Sequence, residues 1–174
     1  MSSDHYRCPA SGEGGVRGGD GGRLGVMLRA GACGVYADEA AVELLVAHGH
    51  WAAHSEFARR FAQVQACPGG GGGPVACIDW QAAAGGLGGG GLLGCSAGEA
   101  SVLRIAASLG GGAPVSLRAV LGGLDHVNIA LVARAVLHAN GTTSATVTVP
   151  APPRFPPGID VAGGGGRVWR GQGR

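Results

Sequence analysis

Apolar residues recur at helical spacing in several windows of the chain, and glycine or proline closes each window. Over 35–48, Ala41, Leu44, Leu45 and His48 fall on one face of a helix, with Asp38 and Glu39 at its start, where the helix dipole favours negative charge and Asp38 can cap the first turn. Over 50–68, Phe57, Phe61 and Val64 repeat at i, i+4, i+7, while Arg59, Arg60 and Gln63 fall opposite. Gly49 separates the two windows, so they predict an αα-hairpin. In 74–84, Asp79 is placed to cap a short helix through Trp80 and Ala84, and Val75 to Ile78 is too short to classify.

The sharpest local signal is CSAGEASVLRIAASL. Ser96 and Glu99 stand three apart, the spacing of a capping box, and Val102, Ile105, Ala106 and Leu109 form an apolar face behind them. The hydroxyl of Ser96 is expected to matter more than the carboxylate of Glu99, whose partner N–H can reach water. Ser116 can cap a short helix over 117–122, and Asp125 a longer one over 126–139. That last helix is apolar on almost every side, which predicts a place in the middle of a bundle. Asn140-Gly141 ends it. The following TTSATVTV alternates like a strand but has no evident partner, so extended chain is expected.

Between and beyond these windows, glycine dominates. The 174 residues include 37 Gly and 9 Pro, yet 45% are hydrophobic, so a solvated polar coil is excluded and a core with glycine-rich surroundings is implied. The expected organisation is a Gly-rich disordered tail over 1–35, a helical domain over 36–140, and a Thr/Pro/Gly-rich extended or disordered tail over 141–174. The fold class expected is all-α, a small bundle of four to five helices with Gly-rich loops.

Charge and cysteine usage narrow the function classes. Net charge is +2 and all 13 basic residues are Arg, too little charge to imply a polyanion partner. Five widely spaced cysteines without C-x-x-C argue against a disulfide scaffold or a zinc ribbon. No run approaches the ~20 apolar residues of a membrane span and no secretory signal pattern occurs, so a cytoplasmic location and no membrane partner are expected.

Candidate chemistry is sparse. His48, His50 and His54 form H-x-H-x3-H, in which His50 and His54 at i, i+4 can chelate zinc or nickel; the alternative is a set of turn and surface histidines. Ser96 lies in G-C-S-A-G, which matches G-x-S-x-G in letters, but glycines in place of the preceding buried strand favour the N-cap. No phosphate-binding loop is possible without a Lys. Residues 115–137 read helix, Gly turn, helix, with Ala119, Gly123, Leu124, Ile129 and Val132 spaced as in a helix-turn-helix. The second helix would offer His126, Asn128 and Arg134 to DNA. Arg118 and Gly122 depart from that motif, where apolar residues belong. The ending RVWRGQGR carries an aromatic among arginines, as RNA-binding RGG segments do, though composition alone produces it.

The residues Ile78-Asp79-Trp80, Cys95 to Glu99, Leu103 to Leu109, Val115 to Arg118 and Gly123 to Asp125 together resemble small uncharacterised actinobacterial proteins. The resemblance covers about 75–140 and implies a bacterial, cytoplasmic helical domain without an attached activity. From the residues themselves, the leading expectation is a non-enzymatic module that works through a protein partner. A DNA-binding regulator is the alternative, and a metal-binding protein the third reading.

Overall fold

The computed structural model describes residues 20–66, 72–87, 94–142, 144 and 146–148. Within these the chain forms eight helices and a two-stranded sheet: α1 (Asp20–Ala32), α2 (Tyr36–His48), α3 (His50–Ala53), α4 (Ser55–Phe61), β1 (Ala62–Gln65), β2 (Val75–Ile78), α5 (Trp80–Gly86), α6 (Ala97–Gly111), α7 (Leu117–Leu121) and α8 (His126–Ala139). The molecule is therefore mostly helical, as its periodicity predicts. It has more and shorter helices than a bundle of four or five, and it is not purely α.

α2 is the central element. Its apolar residues Ala40, Ala41, Val42, Leu44 and Leu45 are all buried, and it packs on both α6 and α8. At its first turn Glu39 meets His138, at the far end of α8, with Oε2 2.9 Å from Nε2. Ala41 lies against Gly110 near the end of α6. α2 thus runs antiparallel to both partners. Val35 precedes α2 without a side-chain cap, and Asp38 lies inside the helix rather than capping it. Glu39 instead reaches back past the N-cap, where its Oε1 accepts the N–H of Gly34 at 2.8 Å.

Three sequence expectations fail in instructive ways. The first is the disordered N-terminal tail: 20–32 is helical, and Leu24, Leu28 and Ala32 of α1 are buried in the core. Its glycines permit contact rather than mobility. A Cβ on Gly31 would overlap the carbonyl oxygen of Ala76 on β2, the strand on which α1 lies. The second is the single helix over 50–68. It breaks at His54, where the backbone is extended (φ −81°, ψ 104°), and from Ala62 the chain becomes β1, paired antiparallel with β2 in the register Ala62 with Ile78 to Gln65 with Val75. The third is the central place assigned to 126–139. Only Val132 and Ala135 of α8 are buried, so α8 is an outer helix.

The caps follow the sequence more closely. Asp79 accepts from Ala82 N at 2.9 Å, and Asp125 from Val127 N and Asn128 N at 3.0 and 2.7 Å. Gly49 (φ +83°) and Gly141 (φ +82°) occupy the left-handed conformations that make the turns after α2 and α8. Ser116 makes no side-chain cap to α7. The capping box of α6 is complete, but its weights are reversed: Glu99 Oε2 accepts from Ser96 N at 2.6 Å, whereas Ser96 Oγ accepts from Glu99 N at 3.3 Å. Residues 142–148 contain no strand among those described, and 1–19 and 149–174 lie outside the described residues.

Two pairs of substitutions test these assignments. Gly31→Ala forces overlap with backbone and should cost about 1–3 kcal/mol, whereas Gly22→Ala, with open space around it in the same helix, should stabilise by about 0.5–1 kcal/mol. Opposite signs in chemical denaturation are the expected result. For the cap, Glu99→Ala should lower the melting temperature more than Ser96→Ala, which should cost about 1 kcal/mol.

Candidate functional site

Two regions hold the residues that sequence pattern marks for function: the histidine corner between α2 and α6, and the outer face of α8.

The corner is built around Trp51. α3 is only four residues long, too short to persist unaided, and its anchor is the fully enclosed indole of Trp51, whose Nε1–H donates to the Glu99 carbonyl oxygen at 2.9 Å. Phe57 of α4 stacks obliquely on that indole with centroids 5.3 Å apart, and Phe61 follows at 5.5 Å. The three histidines close over this aromatic column. The His50 ring stands edge-on to Trp51 at 4.8 Å, 6.2 Å from His48 and 5.4 Å from His54. His48, His50 and His54 are thus brought together, as the motif suggests.

Their nitrogens are not arranged as ligands. His54 is the N-cap of α4, and its Nδ1 accepts the N–H of Phe57 at 3.2 Å. His50 Nδ1 faces Glu99 Oε1 at 3.1 Å. His48 Nδ1 and His50 Nε2 are buried without a hydrogen-bond partner. Among the described residues no group of three or more His, Cys, Asp or Glu side chains has metal-binding geometry. Of the cysteines near in sequence, Cys77 is exposed on β2 and Cys67 lies outside the described residues.

The electrostatics follow from burial and from this geometry. Burial, and then the neighbouring His50, push His48 below the usual imidazole range; Glu99 and Asp125 pull the other way. Glu99 is held below the usual carboxylate range, first by the hydrogen bond from Ser96 N–H, then by the Ser96 hydroxyl and by the two histidines, against a contribution from burial.

On α8, His126 and Arg134 are exposed, but Asn128 is part-buried and its amide nitrogen approaches Gly98 at the start of α6. Two residues span roughly 200° of a helix, so Asn128 points away from the face of His126. The three residues assigned to DNA contact therefore do not share a face. α7 has a single helical turn and a half. What sequence pattern did not mark is the apolar surface left outside. Ten of the fourteen residues of α8 are apolar, yet Ile129 and Val136, seven residues apart on one flank of the helix, are 36% and 52% exposed, and Val127, on the opposite flank, is 56% exposed. Leu117 and Leu121 of the preceding α7 are exposed as well. The excess of apolar residues was visible in sequence; the helix's peripheral position was not.

Two clefts lie beside these regions. One of about 840 Å³ is lined by small residues of α1, α3, α4 and β1, with Arg59 at its edge held by Glu56 at 2.6 Å. The other, of about 320 Å³, runs between α2 and α8 past Glu43, Arg134 and His138. Neither brings together a nucleophile, a base and an orienting group. No helix among the described residues is long and apolar enough to cross a membrane. Comparison with family models, curated proteins and solved structures finds no match to this chain.

Trp51→Phe tests the corner. It removes the bond to the Glu99 carbonyl and leaves a cavity where part of the indole lay. The variant should lose about 2–4 kcal/mol in chemical denaturation, with the loss localised by hydrogen exchange to α3 and the first turn of α6.

Proposed function

We propose that this protein is a non-enzymatic interaction module that docks a partner protein on the outer face of α8. The observation that carries the reading is the exposure of large aliphatic side chains on an apolar helix: Ile129 and Val136, on one flank of α8, are 36% and 52% exposed, while only Val132 and Ala135 are fully buried. Leaving such a face in water forgoes about 25 cal/mol per Å² of apolar surface, which a partner helix would recover.

Charge indicates the partner's chemistry. Arg118 on α7 and Arg134 on α8 are exposed and form no ion pair among the described residues, and Asp125, the carboxylate of this segment, is engaged as a cap. An amphipathic helix with an aliphatic stripe flanked by Glu or Asp complements this surface. The separated placement of His126, Asn128 and Arg134 and the low net charge speak against the DNA-binding reading.

A synthetic amphipathic peptide with a leucine stripe and glutamate flanks is the direct probe. Binding is expected to weaken by about tenfold for each of Ile129→Glu and Val136→Glu, and to weaken when the flanks are changed to lysine. Absence of binding, or binding indifferent to both variants, would overturn the proposal. So would self-association through α8 in light scattering, or a sequence-specific, salt-sensitive shift of DNA fragments.

A further inference from the structure

We infer that His48, His50 and His54 form an acid-operated latch, which holds α3 and α4 against the bundle when the imidazoles are neutral and releases them when the imidazoles take up protons. The inference is independent of the docking surface on α8.

The first observation is the cap of α4. His54 can accept the N–H of Phe57 only while Nδ1 keeps its lone pair. A protonated imidazole carries N–H on both nitrogens, so proton uptake turns this acceptor into a donor facing a donor, and α4 loses the bond that starts it. An Asp, Asn or Ser at this position would cap without such a condition. The second observation is the pair of buried nitrogens, His48 Nδ1 and His50 Nε2, for which the fold supplies no acceptor. A proton placed on either becomes a buried donor with nothing to receive it, a state that unfolding relieves.

The third observation is the shortage of counter-charge. The His48, His50 and His54 rings lie 6.2 and 5.4 Å apart in sequence order, close enough for their positive charges to repel through a partly dry medium. The carboxylates that face them are Glu99 from α6 and Asp125 from the start of α8. Glu99 Oε2 accepts from Ser96 N while its Oε1 lies 3.1 Å from His50 Nδ1 and so offsets charge on that ring alone, and Asp125 accepts from two backbone N–H groups, which leaves His48 and His54 without a carboxylate at ion-pair distance among the described residues. Nearby Glu56 is engaged by Arg59 and Arg60. α1, which also packs on α3, contributes Arg23 and Arg29, the latter held by Glu43.

The sign of the effect follows from proton linkage. His48 is held below the ordinary imidazole range, so the unfolded chain binds its proton first, and stability present above about pH 6.5 is lost as the pH falls. What is released includes Trp51 and Phe57, both fully enclosed in the closed form.

Trp51 reports on its own latch. In a Trp80→Phe/Trp169→Phe background, with EDTA in the buffer, Trp51 emission should move to the red between pH 7.5 and 5.5. Over the same interval the opening constant from hydrogen exchange of α3 and α4 should rise by up to about tenfold per pH unit for each proton taken up. Replacement by residues that do not titrate, His54→Asn (which keeps an N-cap acceptor) together with His48→Gln, should flatten both curves above pH 5.5 while leaving the emission at pH 7.5 unchanged. Emission that stays blue down to pH 5.5 would overturn the inference. A transition that persists in the double variant at the same midpoint would do so too, because it would belong to the carboxylates. If the double variant is already red at pH 7.5, the single variant His54→Asn decides: a shallower transition than in the parent is expected, and an unchanged one would overturn the inference.

Discussion

The indole of Trp51 is the piece on which one end of this molecule depends. It is fully enclosed, and its N–H is bonded to the main chain of α6 at Glu99. The same residue closes the capping box with its carboxylate and faces His50 with its other oxygen. One residue of α6 thus starts its own helix, receives the anchor of α3 and meets the imidazole beside that anchor. α3 has four residues and α4 seven, lengths at which helix formation does not sustain itself. Their order comes from the indole and the aromatic column beneath it.

Elsewhere the core sets small residues among buried Leu, Val and Ile side chains. Ala40 and Ala41 of α2, Ala106 and Ala107 of α6, and Ala83 of α5 are completely or almost completely buried. At Gly110 a methyl group would lie 2.9 Å from the Ala41 side chain and would also run into the Trp80 indole. Gly86 leaves the same kind of room for Phe61. Helices that meet on alanine and glycine approach closely, and dispersion between backbones replaces the interdigitation of long side chains. The glycine abundance that suggests base composition and loose tails is thus in part a packing material.

That difference explains what could be read from sequence. α2, α6 and α8, the caps at Asp79, Ser96 and Asp125, and the stops at Gly49 and Gly141 are local in cause, and local spacing reveals them. α1 could not be found that way, because four glycines argue against a helix until Ala76 and the α2 face are in place to receive it. β1 is equally non-local: Ala62–Gln65 reads as helix until Val75–Ile78 pairs with it across a glycine run. For the candidate sites, H-x-H-x3-H marks three imidazoles that lie near one another at one corner. The direction of each ring nitrogen depends on the break at His54, which no periodicity shows. The apolar excess of α8 was legible, but whether an apolar helix lies inside or outside is decided by its neighbours.

α1 carries one further consequence. A helix with Gly21, Gly22, Gly25 and Gly31 has little intrinsic tendency to form. It exists because Leu24 and Leu28 find the core and because Gly31 lets it lie flush on β2. Its helicity is therefore borrowed from a surface that the remaining elements must already have built. In the order of assembly α1 comes late, and in the order of local opening it comes early, as a cooperative unit of low free energy at the margin of a more durable α2–α6–α8 body.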